Sequence, residues 1–180
     1  RDRPDGLLAV APMPEWKIEG LSDPPDDALY VVATAIEKPG NLGTLLRIAD
    51  AVGATALIVC DPVTDLFNPN VVRASVGTLF TVPSVQAGAE ATRSWLVSRG
   101  VPIVVTTPAS KKCYTDHDFS SAVAVVLGNE QLGLGEAWLR GEHEAVSIPM
   151  LGRSDSVNVA MAGAALLFEA LRQRRAVAEG

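Results

Sequence analysis

Three short segments put polar side chains where a folded chain can do chemistry. In 144–175, EAVSIPMLGRSDSVNVAMAGAALLFEALRQRR, an apolar strand ends in Ile148-Pro149-Met150 and a Gly/Ser/Asp turn follows. Ser156-Val157-Asn158 then opens a long helix rich in Ala, Met, Gly and Leu, predicted over 156–176. A helix start has backbone N–H groups without helical partners and a partial positive charge, which suits a carboxylate or a phosphate; Ser and Asn there equally suit plain capping. In 123–135, VAVVLGNEQLGLG, a buried strand runs into Gly128-Asn129-Glu130. Glycine lets a ligand approach the backbone closely, and Glu130 sets a carboxylate beyond the strand end. In 41–54, NLGTLLRIADAVGA, the residues Leu42, Leu45, Leu46, Ala49 and Val52 form a helical apolar stripe over 41–53. Asn41 fits its N-cap, and Arg47 falls outside the stripe as a free cation.

These segments need a scaffold, and the rest of the chain supplies one. From Tyr30 onward apolar runs alternate with helix-like stretches: YVVATAI, 41–53, ALIVC, 69–76, a short LFTVP, 87–99, PIVVTT, AVAVVLG, 133–140, AVSIPM and 156–176. Such alternation predicts a doubly wound α/β domain, a mostly parallel sheet with helices on both faces and its ligand site at the carboxyl ends of the strands. Helix 156–176 is apolar on nearly every side and needs cover on more than one face, for which a partner subunit is economical. Residues 1–28 are rich in Pro and Asp around one strand-like run, Leu7-Leu8-Ala9-Val10, and read as a linker and edge strand ahead of a single domain over 29–180.

Bulk composition removes several classes of function. At 180 residues, 48% hydrophobic and 20% charged, the chain suits one globular domain, and no apolar run reaches the roughly 18–20 residues of a membrane span. Its start, Arg1-Asp2-Arg3-Pro4, lacks the apolar core of a secretory signal, so it reads as an excised domain of an intracellular, cytoplasmic protein. Cys60 and Cys113 form neither a disulfide framework nor a metal spacing and are expected as reduced thiols. His117 and His143 sit beside acids, without a second ligand at zinc spacing, and read as solvated surface residues; no metal is implied. A net charge of −6 argues against broad attraction to nucleic acid but leaves room for a local basic site among Arg47, Arg73, Lys111, Lys112 and Arg153. No G-x-G-x-x-G follows the first strand, and there is no P-loop or G-x-S-x-G elbow, so dehydrogenase, P-loop and hydrolase readings lack their signatures.

Taken in order, NLGTLLRIADAVGA at 41–54, VVLGNEQLGLG at 125–135 and VSIPMLGRSDSVNVAMAGAALLFEALRQR at 146–174 resemble the motifs of the TrmH (SpoU) family of RNA ribose 2′-O-methyltransferases in the SPOUT superfamily. RASVGTLFTVP at 73–83 is similar to the segment between the first two motifs, and the likeness covers roughly 28–175. The third motif departs mildly, with Ser-Val-Asn-Val where the family usually has Ser-Leu-Asn-Val.

The resemblance implies a SPOUT fold whose C-terminal part is threaded into a deep trefoil knot, and a homodimer with its site at the subunit interface. It implies S-adenosyl-L-methionine, held by backbone groups around Thr106-Thr107-Pro108, Leu127-Gly128-Asn129, Ile148-Pro149-Met150 and Ser156-Val157-Asn158. It gives Arg47 a catalytic role. A guanidinium stays protonated at neutral pH, so Arg47 is expected to bind the target phosphate and stabilise the developing alkoxide. Asn41 and Glu130 would hold it and the ribose, and Ser156 and Asn158 would orient substrate or cofactor from the helix start. The start of the chain looks like the exit from an upstream RNA-binding domain, which favours ribosomal RNA over transfer RNA as substrate. Methylation of a base nitrogen and a non-catalytic RNA-binding or assembly factor on the same fold are the alternatives.

Overall fold

The computed structural model describes residues 6, 10, 12–14, 16–128, 134–139 and 143–179. Six apolar runs form one sheet: β1 (Leu29–Thr34), β2 (Ala56–Cys60), β3 (Ser84–Ala87), β4 (Ile103–Thr106), β5 (Val123–Leu127) and β6 (Glu144–Val146). Their order is β3-β2-β1-β5-β4-β6, and every pairing is parallel. The helices are α1 (Pro39–Ala51), α2 (Pro69–Ser75), α3 (Ala89–Ser98), α4 (Glu136–Leu139) and α5 (Val159–Ala178).

Side chains alternate between two cores, which is why the central strands read as unbroken apolar runs. Leu29, Val31 and Ala33 of β1 join the core that holds Leu42, Leu45 and Leu46 of α1 and Leu166 and Leu167 of α5. Tyr30 and Val32 face the other core, with Trp95 and Leu96 of α3 and Trp138 of α4. The expected doubly wound sheet is therefore present, and its order reverses between β1 and β5. An open sheet of this kind offers a crevice beyond its carboxyl ends near such a reversal.

Several boundaries shift, each for a local reason. Helix α1 begins at Pro39, whose fixed φ and missing N–H suit a first helical position, so Asn41 is not its cap: Lys38 occupies that place and its carbonyl accepts the Asn41 N–H at 3.0 Å. Helix α5 begins at Val159, because the Asn158 side chain accepts the Ala160 N–H at 3.0 Å and is the cap; Ser156 and Val157 precede the helix. LFTVP is not a strand. Left-handed Val76 and Gly77 feed a 3-10 turn at Thr78–Phe80, and the sheet is joined after Pro83, with Ser84 opposite Leu57. Of the stretch 133–140, the described residues 134–139 form only α4, and the run at 7–10 lies outside the described residues except for Val10, which is exposed. The linker nevertheless touches the domain: Ile18 is buried, and the Trp16 ring lies 5.5 Å from that of Phe67.

After β6 the chain runs beside the connection between β4 and β5. The Ser147 N–H donates to Lys112 O at 2.8 Å and the Tyr114 N–H to Ser147 O at 2.9 Å. Helix α5 then returns over α1 and β5, with Gly163 against Leu45 and Leu127. Near its other end, Arg174 donates to the carbonyls of Phe119 (2.9 Å), Ser121 (2.8 Å), Asp27 (2.5 Å) and Ala28 (3.3 Å).

Candidate active site

Beyond the carboxyl ends of β4, β5 and β6 lies a cavity of about 320 Å3, within the size range of small-molecule sites. Thr106, Thr107 and Pro108 form the wall after β4, Leu127 and Gly128 the wall after β5, and Ile148 and Met150 the wall after β6. Ser156 and Val157, just ahead of α5, line its rim. Nine of the residues expected at the cofactor thus surround one space. Pro149 and Asn158 do not line it, and Asn129 and Glu130 lie outside the described residues.

Leu134, Asp155, Val159 and Ala162 line the cavity as well and were not singled out from the sequence. Asp155 carried a signal, as it immediately precedes the Ser-Val-Asn motif. Val159 and Ala162 lie in the first turn of α5, where apolar spacing reads as core.

The walls are apolar apart from a few polar groups. The Thr106 Oγ1 is buried and finds no hydrogen-bond partner among the described residues, which leaves a donor available to a ligand. Leu127, Ile148 and Met150 suit an adenine ring, backbone groups of the loops suit its edges, and the free hydroxyl suits a polar substituent. S-adenosylmethionine fits that donor set.

The remaining polar residues stand beside the cavity. Asn158 Nδ2 donates to Asn41 Oδ1 at 3.1 Å, across 117 residues of sequence, so the starts of α1 and α5 are tied together. Arg47 lies on the exposed face of α1 and makes no ion pair among the described residues; it does not line the cavity. It stands six positions along from Asn41, roughly 9 Å on a helix. A cation held off the cavity wall suits a phosphate on a bound polymer better than a small ligand inside.

Other reactive groups have structural roles. Burial pushes the Cys60 thiol up to about 12, against a bond to Thr92 Oγ1 at 3.2 Å, so it stays protonated and is no nucleophile. The histidines are not the solvated residues expected. The His117 side chain is 11% exposed, with Nδ1 2.7 Å from Glu144 Oε2 and its ring edge-on to Phe119, because the connection after β4 folds back onto the sheet edge. His143 is half-buried near Trp138. Among the described residues no group of three His, Cys, Asp or Glu could hold a metal ion, and no helix is long and apolar enough to cross a membrane.

Residues 28–168 match the SpoU rRNA Methylase family. The chain belongs to this family. Among SpoU relatives it is 37% identical over 179 residues to the 23S rRNA (uridine(2479)-2'-O)-methyltransferase of Streptomyces viridochromogenes, covering 96% of this chain and 62% of that protein. It is 30% identical to the 23S rRNA (guanosine(2553)-2'-O)-methyltransferase RlmP of Bacillus subtilis, covering 93% and 65%. The fold superposes on the crystal structure of the SpoU methyltransferase AviRb from Streptomyces viridochromogenes in complex with the cofactor AdoMet, with a TM-score of 0.85 and 35% identity over 91% of this chain and 63% of that one. This SpoU domain therefore spans less than two thirds of the length of these relatives.

Proposed function

We propose that this chain is the catalytic domain of an S-adenosylmethionine-dependent RNA methyltransferase that acts on a ribose 2′-hydroxyl, of ribosomal rather than transfer RNA, as a cytoplasmic homodimer. The observation that carries this reading is the apolar cavity walled by three strand-end loops and bordered by Ser156 and Val157, next to the tied starts of α1 and α5. The relatives named as 23S rRNA 2′-O-methyltransferases support the reaction and the substrate class.

When bound, the cofactor supplies an electrophilic methyl group on a sulfonium. The protein must align the hydroxyl oxygen with it and ease the loss of the hydroxyl proton. Arg47 anchors the target phosphate and stabilises the oxygen as negative charge develops. Asn41 and Asn158 hold the two helix starts in register for the ribose, and Ser156 orients it from the cavity mouth. Glu130, which lies outside the described residues, keeps the role expected from the sequence, holding Arg47 and the ribose. The C-terminal stretch, running from β6 past the 107–122 connection into α5, is read as the threaded part of the trefoil knot. Met161 and Phe168, 63% and 48% exposed on one side of α5, are read as part of the face that a second copy covers.

Calorimetry with S-adenosylmethionine and methylation mapping of ribosomal and transfer RNA, both with the full-length protein, test this reading. Cofactor binding and a new 2′-O-methyl group in ribosomal RNA are expected. Arg47→Lys should cut turnover about a hundredfold while leaving cofactor affinity within a factor of about two, because Arg47 stands off the cavity wall. Unchanged turnover removes Arg47 from catalysis. Absence of cofactor binding favours an RNA-binding factor without catalysis, and a methylated base nitrogen or transfer RNA overturns the assigned substrate.

A further inference from the structure

Glu144 opens β6, an edge strand of the sheet, and two side chains, Lys112 and His117, converge on it. Lys112 Nζ pairs with its Oε1, and His117 Nδ1 lies 2.7 Å from its Oε2. Both partners come from the connection between β4 and β5, the same connection whose first residues, Thr107 and Pro108, line the ligand cavity. Beneath the charges the two segments are stitched by their backbones. The Thr107 N–H donates to Val146 O at 2.9 Å, the Ser147 N–H to Lys112 O at 2.8 Å, and the Tyr114 N–H to Ser147 O at 2.9 Å. The Ser110 hydroxyl adds a bond to Ala145 O at 2.7 Å. One residue past this seam is Ile148, and two further on is Met150, the facing wall of the cavity. The far side is fixed too, since Gln173 of α5 donates to His117 O at 3.0 Å.

We infer that Glu144, with Lys112 and His117, is a positioning cluster that clamps the 107–117 connection to β6 and thereby sets the spacing of the cavity walls and the affinity for the ligand between them. This rests on the reading of the cavity as the S-adenosylmethionine site. The other charges around the cluster have their own places. Lys111, Asp116 and Asp118 lie on the connection, and across it on α5 Glu169 pairs with Arg172 at 2.7 Å. The Glu144 carboxyl is held below the usual carboxylate range, chiefly by the hydrogen bond from Lys112 and further by His117, so it is ionised throughout the working range of such an enzyme. The Lys112 and Glu144 side chains are 36% and 41% exposed, so solvent screens the pair and the effect is modest.

The test uses Glu144→Gln, Lys112→Met, Lys112→Arg and the Glu144→Gln/Lys112→Met double variant, with two readouts. One is amide hydrogen exchange of the ligand-free protein at Thr107, Tyr114 and Ser147; the other is S-adenosylmethionine affinity by calorimetry. Glu144→Gln and Lys112→Met should each speed exchange at those amides and weaken the cofactor about fivefold. Lys112→Arg should restore both readouts, and the double variant should be no worse than Glu144→Gln alone, since each change removes the same pair. Unchanged exchange and affinity in Glu144→Gln overturn the inference. So does exchange that rises evenly across the whole sheet, which marks general destabilisation. If the wild-type protein binds no S-adenosylmethionine, the functional proposal fails, and exchange at the three amides decides the clamp by itself.

Discussion

Asp155 brings one negative charge to a cavity whose other described lining residues carry none. A carboxylate there attracts a cationic ligand, and S-adenosylmethionine is cationic at its sulfonium, whereas the demethylated product is neutral at that sulfur. Asp155 is exposed, so its field is screened and only a small effect is expected. Asp155→Asn should weaken S-adenosylmethionine about threefold and the product S-adenosylhomocysteine by less, which paired titrations of the two compounds would measure. Equal losses for both would mean that Asp155 shapes the mouth of the cavity and does not sense charge. On the proposed function, Arg47 outside the cavity would serve the polymer and Asp155 at its wall the cofactor.

At the scale of elements, two glycines set how closely helices approach. A methyl group added at Gly163 of α5 would stand 2.7 Å from Leu45 Cδ2 and 2.9 Å from Leu127 Cδ1, both ends of flexible side chains. One added at Gly43 of α1 would collide with Ala74 Cβ and meet the backbone of α2, with the Ala74 carbonyl carbon at 2.9 Å and Ser75 N at 3.0 Å. Side chains can yield and backbone cannot. Gly163→Ala should therefore cost about 1 kcal/mol and Gly43→Ala about 3 kcal/mol in urea denaturation. Gly163→Ala should also weaken cofactor binding, because Leu127, the side chain that yields, lines the cavity. The sequence revealed these elements unevenly. Strands buried on both faces are continuous runs such as YVVATAI and ALIVC and could be read directly, and with them a ligand site at the strand carboxyl ends, whereas the particular loops that make the cavity came from the family resemblance. Helix starts were harder, since Ser154, Asp155, Ser156 and Asn158 are all capping types within five residues and only the bond to the Ala160 N–H selects Asn158. Nothing local could reveal the Asn41–Asn158 bond or the burial of His117, because each joins parts of the chain far apart in sequence.

For the whole molecule, the sheet supplies the site and the return of α5 closes it. Arg174 is the bolt of that closure. Burial pulls its guanidinium below the usual arginine value, opposed by Asp27, yet it remains charged and donates to four carbonyls on two separate segments. Arg174→Ala should cost about 2 kcal/mol in urea denaturation, since the part-buried bonds to the Phe119 and Ala28 carbonyls lose a charged donor; Arg174→Lys should recover part of it, limited by losing the planar fork. A loss below about 0.5 kcal/mol would show that water replaces the guanidinium without penalty. All four acceptors are main-chain atoms, so the lock is indifferent to which side chains occupy positions 27, 28, 119 and 121. Two of its bonds also join residues 146 and 147 positions apart. Contacts of that separation reward the chain only after nearly all of it has been gathered, which makes the bolt a late event: the sheet can assemble strand by strand, and Arg174 then fastens the last turns of α5 to the segments that lead into β1 and β5.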